Sequence, residues 1–276
     1  MELLRIAAFS DGEPGGNPAG VWLGDALPDA ETMQRIAADV GFSETVFAAP
    51  HADGWRVRYF SPQSEVPFCG HATIALGAAL ALRHGDGEYA LTLNQAQVQV
   101  RGRRDGATVA ATLRSPPTRS TPVDDALLAR ALDLFDFTRA DLDPRLLPAQ
   151  IHGGADHLLL VLRSRERLAA MRYDLDQGRA LMRDAGWITI ALVWVENPGR
   201  FHARNAFASG GVYEDPATGA AAAAFAGYLR DTNWPQGGAI EIVQGEDMGM
   251  RSLIQVTVAG AAGSPVEVSG TARLMT

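Results

Sequence analysis

The chain has no lysine among its 276 residues. Without that amine there is no Schiff base to pyridoxal phosphate and no phosphate-binding P-loop. Every basic side chain is an arginine or a histidine. There is one cysteine, Cys69, so no intrachain disulfide can form. No apolar run is long enough to span a bilayer, so no membrane role is expected. Met1–Phe9 is short and lacks a basic start, so it reads as a first strand and not as a signal peptide. The net charge of −8 argues against nucleic acid as a partner. No Gly-x-Gly-x-x-Gly follows a strand, and no serine stands in a Gly-x-Ser-x-Gly elbow. The histidines are His51, His71, His84, His152, His157 and His202, and none pairs at the spacing of a zinc helix motif. No metal and no cofactor are therefore expected. What remains is proton chemistry by Glu, Asp, His and the lone thiol, in a cytoplasmic protein by default.

A hydrophobic content of 47% with 20% charge describes a globular chain long enough for two ordinary domains. Its organising feature is a stretch that occurs twice. The first copy runs from Glu65 through Cys69-Gly70-His71-Ala-Thr73 into Leu82, and the second from Tyr213 through Asp215-Pro216-Ala-Thr218-Gly219-Ala220 into Leu229. Each begins with polar, titratable residues and a turn former, then enters a run of Ala, Gly and Leu. A helix apolar all round is buried on every face. Its first N–H groups have no partner inside the helix, and its dipole is positive there. Two such ends suggest an anion or carboxylate site between two similar lobes.

Taken in order, Leu3–Phe9 reads as a buried strand, 11–20 as a turn-rich loop, and Val21–Leu23 as a short strand. Asp29–Asp39 has helical spacing, with Asp29 as N-cap and Gly41 as the stop. Ser43–Ala48 and Trp55–Phe60 read as strands, with Glu44 just inside the first. After the first buried helix, which ends near Arg83, come strands at Tyr89–Leu93, Val98–Gly102 and Thr108–Leu113. Ser115–Pro122 has the composition of a linker. The second half repeats the order of parts: a helix at Asp124–Leu134, strands at His157–Leu162 and Ile188–Val195 with a helix near Leu175–Ala185 between them, then a strand at Phe201–Phe207 before the second buried helix. Ile240–Gln244, Leu253–Val258, Val266–Val268 and Ala272–Met275 close the chain. The expected fold class is α+β, two similar lobes each a barrel-like, mostly antiparallel sheet around a buried helix. The expected lobes are residues 1–118 and 119–265, with 266–276 a terminal strand returning to the first lobe.

Among the candidate residues, Glu44 on its own is ordinarily an edge carboxylate facing water. Asp215, just before Pro216, is ordinarily a helix cap. His71 at the other helix start is more often structural than catalytic. Cys69 is most often a small buried hydrophobe, although a thiolate beside a helix N-terminus is stabilised and can be reactive.

Several motifs together carry a resemblance. They are Gly16-Asn17-Pro18-Ala19-Gly20-Val21, Ser43-Glu44-Thr45-Val46-Phe47, Val57–Pro62, Glu65–Thr73, Glu214–Gly219, Gln244-Gly245 with Met248–Ser252, and Ser269–Ala272. In this order, over nearly the whole chain, they resemble the phenazine biosynthesis protein F family, which shares the diaminopimelate epimerase fold. The resemblance implies a cofactor-independent isomerase acting on a small carboxylate-bearing molecule. It implies that Glu44 shuttles a proton and that His71 and Asp215 line the same site. Asn17, Gly70, Thr218, Gly219 and Ala220 are the expected substrate contacts, and a homodimer is the expected assembly. The family pattern at the second helix start is Thr-Gly-Ser, whereas here it is Thr218-Gly219-Ala220. A hydroxyl is missing, so anion binding falls to the backbone N–H groups. One cysteine excludes a two-thiol racemase. The rival readings are an epimerase using Cys69 against a carboxylate, and a binding protein that does no chemistry.

Overall fold

The computed structural model describes residues 2–106 and 108–275. They fall into two compact units, one built from the residues up to Arg114 together with those from Ser269 onward, the other from Ser115–Val268.

The first unit contains β1 (Glu2–Ala8), β2 (Asn17–Leu23), α1 (Ala30–Val40), β3 (Thr45–His51), β4 (Gly54–Phe60), β5 (Glu65–Val66), α2 (Gly70–His84), β6 (Gly87–Thr92), β7 (Gln97–Asp105) and β8 (Thr108–Arg114). The second contains β9 (Arg119–Pro122), α3 (Asp125–Leu134), β10 (Ala149–His152), β11 (Asp156–Leu162), α4 (Arg165–Ala169), α5 (Leu175–Ala185), β12 (Thr189–Asn197), β13 (Arg200–Ala206), β14 (Glu214–Asp215), α6 (Gly219–Asp231), β15 (Ala239–Gln244) and β16 (Ser252–Thr257). The last strand, β17 (Glu267–Leu274), runs from the second unit into the first.

In the first unit the strand order β1-β2-β3-β4-β6-β7-β8-β17 returns to β1, closing an 8-stranded barrel. The β2–β3 and β4–β6 pairs are parallel, and most others are antiparallel. The second unit repeats the pattern over six strands. There β10–β11 is antiparallel, β11–β12 parallel, β12–β13 antiparallel, β13–β15 parallel and β15–β16 antiparallel. Closure leaves no bare edge in the first sheet, which removes a template for unwanted strand pairing.

Each sheet wraps one apolar helix. From His71 to Ala81 every residue of α2 is buried, and so are nearly all residues of α6. Small side chains let the helices sit close to the strands. A Cβ on Gly102 in β7 would lie 2.2 Å from the Gly77 carbonyl oxygen of α2. A Cβ on Gly227 of α6 would lie 2.3 Å from Thr118 Oγ1. The outer faces carry the amphipathic helices. Trp22, Phe47 and Phe60 pack under Met33 and Ala37 of α1. In the second unit Leu158, Leu160, Leu162, Ile190 and Leu192 pack beneath α3, α4 and α5. Period-two alternation sends the neighbours Ala191 and Val193 to the opposite face, against Ala221, Ala222 and Phe225 of α6.

Caps at the outer helices follow the sequence rules. The Asp29 side chain accepts the Thr32 N–H at 2.8 Å, and Gly41 closes α1 with φ of 73°. Asp124 and Asp174 cap α3 and α5 in the same way.

Four expectations need correction. The turn-rich loop ends earlier, because Asn17–Gly20 already pairs with Ala8–Arg5 of β1. The ladder overrides composition there. Glu44 is not inside β3 but immediately before it, its carbonyl accepting the Gly20 N–H at 3.1 Å. The supposed linker holds β9, paired with β10. The two short terminal strands are one, β17. β10 and α4 were not legible, being short and without strong period.

Candidate active site

Glu44 is placed by the residue that follows it and by the parallel strand β2. Thr45 is fully buried, and a Cβ on Gly20 of the parallel strand would lie 2.6 Å from its hydroxyl. Only glycine lets β2 approach this closely. The chain thus enters β3 with Glu44 at its mouth. His71 is the second residue of α2 and is buried. Its Nε2 lies 3.5 Å from Glu44 Oε2, and the side-chain exposures are 7% and 13%. Cys69, the N-cap residue, offers no side-chain cap. Its Sγ instead lies 3.3 Å from His71 Nδ1 and 3.9 Å from Nε2.

The backbone under this cluster is tied down. The Thr73 hydroxyl donates to the Cys69 carbonyl at 2.7 Å and receives the Tyr59 hydroxyl, also at 2.7 Å. Tyr59 is fully buried, and burial pushes its phenol well above the usual range. It stays protonated and acts as a fixed donor. This strut was not foreseen, because Tyr59 reads from sequence as an alternating strand residue. Nearby, Arg58 holds Glu65 through two 2.7 Å contacts. That pairing lowers the Glu65 carboxyl and raises the Arg58 guanidinium.

The second cluster lies wholly in the other unit. Asp215 belongs to β14, opposite Asn205 of β13, and is buried. It is not the cap of α6. Thr218 is the N-cap residue, and its hydroxyl donates to Asp215 Oδ2 at 2.5 Å. Gly219 and Ala220 form the first turn. Gln244, 1% exposed, clamps the loop. Its Oε1 accepts the Thr218 N–H at 3.2 Å, and its Nε2 donates to the Asp215 carbonyl at 2.7 Å. Gln244 was quoted above only within a motif, and its clamping role depends on β15 lying beside β13. On the other side, Arg204 grips Glu214 with contacts of 3.0 and 2.5 Å, both groups buried. Arg204 also donates to the Ala169 carbonyl at 2.9 Å. The ordinary reading of Asp215 as a helix cap is thereby replaced by a carboxylate fixed through its neighbours.

One buried histidine was missed. His157 is fully buried, and its Nδ1 donates to Thr189 Oγ1 at 2.7 Å. Thr189 passes its own proton to Asn205 Oδ1 at 3.0 Å, which fixes the tautomer. Burial pulls the His157 imidazole down to about 3, so it stays neutral in ordinary buffers. Asn17, the remaining predicted contact, opens β2 opposite Ala8 and is buried.

The structure thus joins Glu44 with His71 and adds Cys69. It joins Asp215 with Thr218 and adds Gln244. A carboxylate beside an imidazole, at the start of a helix sealed in a barrel, is suited to moving protons on a bound molecule, and the protein is an enzyme of the isomerase class. The model of the phenazine biosynthesis-like protein family (PhzC-PhzF) matches residues 6–276, and the chain belongs to that family. It is 34% identical over 277 residues to the trans-2,3-dihydro-3-hydroxyanthranilate isomerase of Pseudomonas fluorescens, covering 96% of this chain and 94% of the relative. Its fold is that of a phenazine biosynthesis protein of the same family from Bacillus anthracis, with TM-score 0.85, 20% identity and coverage of 100% and 98%. A probable proline racemase from Agrobacterium radiobacter shares the fold more distantly, with TM-score 0.66, 13% identity and coverage of 99% and 90%.

Proposed function

We propose that the protein is a cofactor-independent isomerase of a small carboxylate-bearing metabolite, with Glu44 as the group that takes and returns the proton. The observation that carries this reading is the Glu44–His71 pair at 3.5 Å, both side chains largely shielded from solvent. Glu44 removes a proton from one carbon of the substrate and delivers it to another, so no atom is gained or lost. His71 holds the carboxylate in place and presents a donor to charge that develops as the proton leaves. The N–H group of Gly70, at the α2 start of the first unit, is suited to a carboxylate, and so are those of Gly219 and Ala220, at the α6 start of the second. In the second unit Asp215, oriented by Thr218 and Gln244, is suited to an amino or hydroxyl group, and in the first unit Asn17 offers an amide.

The separation of the bases supports a shuttle over an epimerase. Two bases acting on opposite faces of one carbon stand about 6–7 Å apart, twice a reacting distance. The nearest ligand atoms of Glu44 and Cys69 lie within 4.8 Å of each other, which leaves no room for a carbon between them.

The test takes the compound in the Pseudomonas relative's name as first substrate, with turnover in heavy water. Deuterium should appear at the product carbon whenever Glu44 exchanges with solvent before returning the proton. Glu44→Gln keeps the shape but cannot accept the proton. It should bind nearly as well as the parent and turn over about 100- to 10,000-fold more slowly. Near-normal turnover by Glu44→Gln would end this mechanism.

A further inference from the structure

The same cluster contains three different metal-ligating groups. Spacing along the chain did not reveal them, because Glu44 arrives from the turn before β3 and the other two from the start of α2. One atom each from Glu44, Cys69 and His71 lies within 4.8 Å of the other two. The His71 Nε2–Glu44 Oε2 separation is 3.5 Å, and Cys69 Sγ is 3.9 Å from the same nitrogen. In a tetrahedral zinc site, bonds of about 2.0–2.3 Å place neighbouring ligand atoms about 3.3–3.6 Å apart. The carboxylate and imidazole already stand at that spacing, and the sulfur, now 3.3 Å from His71 Nδ1, comes to the shared position by a turn of the Cys69 side chain.

We propose that Glu44, Cys69 and His71 form a binding site for one zinc ion, and that zinc bound there blocks the enzyme. The donor set selects the metal. A thiolate with an imidazole and one carboxylate suits zinc, whereas magnesium and calcium take oxygen ligands. Cys69 stands at the positive end of α2, which favours its thiolate. Binding releases the thiol proton and leaves the fourth zinc position to water. The backbone beneath is already rigid through the Tyr59–Thr73–Cys69 chain, so little order is lost on binding. Zinc occupies the oxygen that would take the proton. Inhibition therefore rests on the role proposed for Glu44, while binding does not.

The experiment titrates the full chain with zinc alone, in competition with a coloured chelator and with no substrate present. One zinc per chain should bind, and zinc should raise the melting temperature. Cobalt in place of zinc should show a thiolate-to-metal charge-transfer band. Cys69→Ala and Cys69→Ser should each weaken binding at least about a hundredfold and abolish the band, and Glu44→Gln should weaken binding at least about tenfold. Circular dichroism confirms that each variant is folded. Stoichiometric binding that survives both cysteine variants, or no binding by the parent at micromolar zinc, overturns the site. If zinc binds as expected and turnover is untouched, the metal site stands and the role of Glu44 falls.

Discussion

His157 makes the protein acid-labile in a way that can be calculated. Burial takes its imidazole from an ordinary 6.5 to about 3 in the folded chain. A depressed pKa means that the unfolded chain binds the proton more readily. The stability tied to this group is therefore complete above pH 6.5 and lost as the pH falls from 6.5 towards 3. Between pH 7 and pH 5 the folded group stays neutral while the unfolded one becomes charged. That difference is worth about 2 kcal/mol, from about 1.4 kcal/mol per pH unit below the unfolded value. His157→Gln keeps an amide donor for Thr189 and removes the titration. Urea unfolding of parent and variant at pH 7 and pH 5, following one signal from the second unit, isolates the term. Carboxylates elsewhere titrate alike in both proteins and cancel. The parent should lose about 2 kcal/mol more than the variant over this interval. Equal losses, within about 0.5 kcal/mol, would show that His157 is hydrated or charged in the folded chain, and the argument from burial would fail.

Three further outcomes follow from packing and charge. Gly102→Ala places a methyl against the Gly77 carbonyl of α2. Thermal or urea melts should show a loss of about 1–3 kcal/mol or more, the scale of overpacking. Arg204→Met leaves Glu214 buried without its partner and should cost about 3–5 kcal/mol, while Arg204→Met with Glu214→Leu should recover most of it. Cys69→Ala should fold and lose less than about a hundredfold in turnover, because the proton belongs to Glu44. A larger loss in a folded protein, the scale of a lost general acid or base, would move the chemistry to the thiol.

Much of this molecule is legible without coordinates wherever the governing physics is local. Asp29 and Gly41 bracket α1 because capping and left-handed backbone are properties of a few neighbouring residues. The Ala, Gly and Leu runs announced two buried helices because no amphipathic face was left to meet water. The repeated order of parts announced two similar units, since like strings of elements bury their apolar faces alike. Glu44, His71 and Asp215 could be nominated from motif, but their company could not. That His71 meets Glu44 depends on the N-terminus of α2 coming up beside the mouth of β3. That Asp215 is no helix cap depends on β14 pairing with β13, and its clamp by Gln244 on β15 lying parallel to β13. The neutrality of His157 depends on a sheet sealed above it. Turn-like composition even misled at Asn17–Gly20, where the β1 ladder satisfies the backbone and outweighs local preference. Hydrogen bonds and desolvation act between groups distant in sequence, so those decisions belong to the tertiary structure.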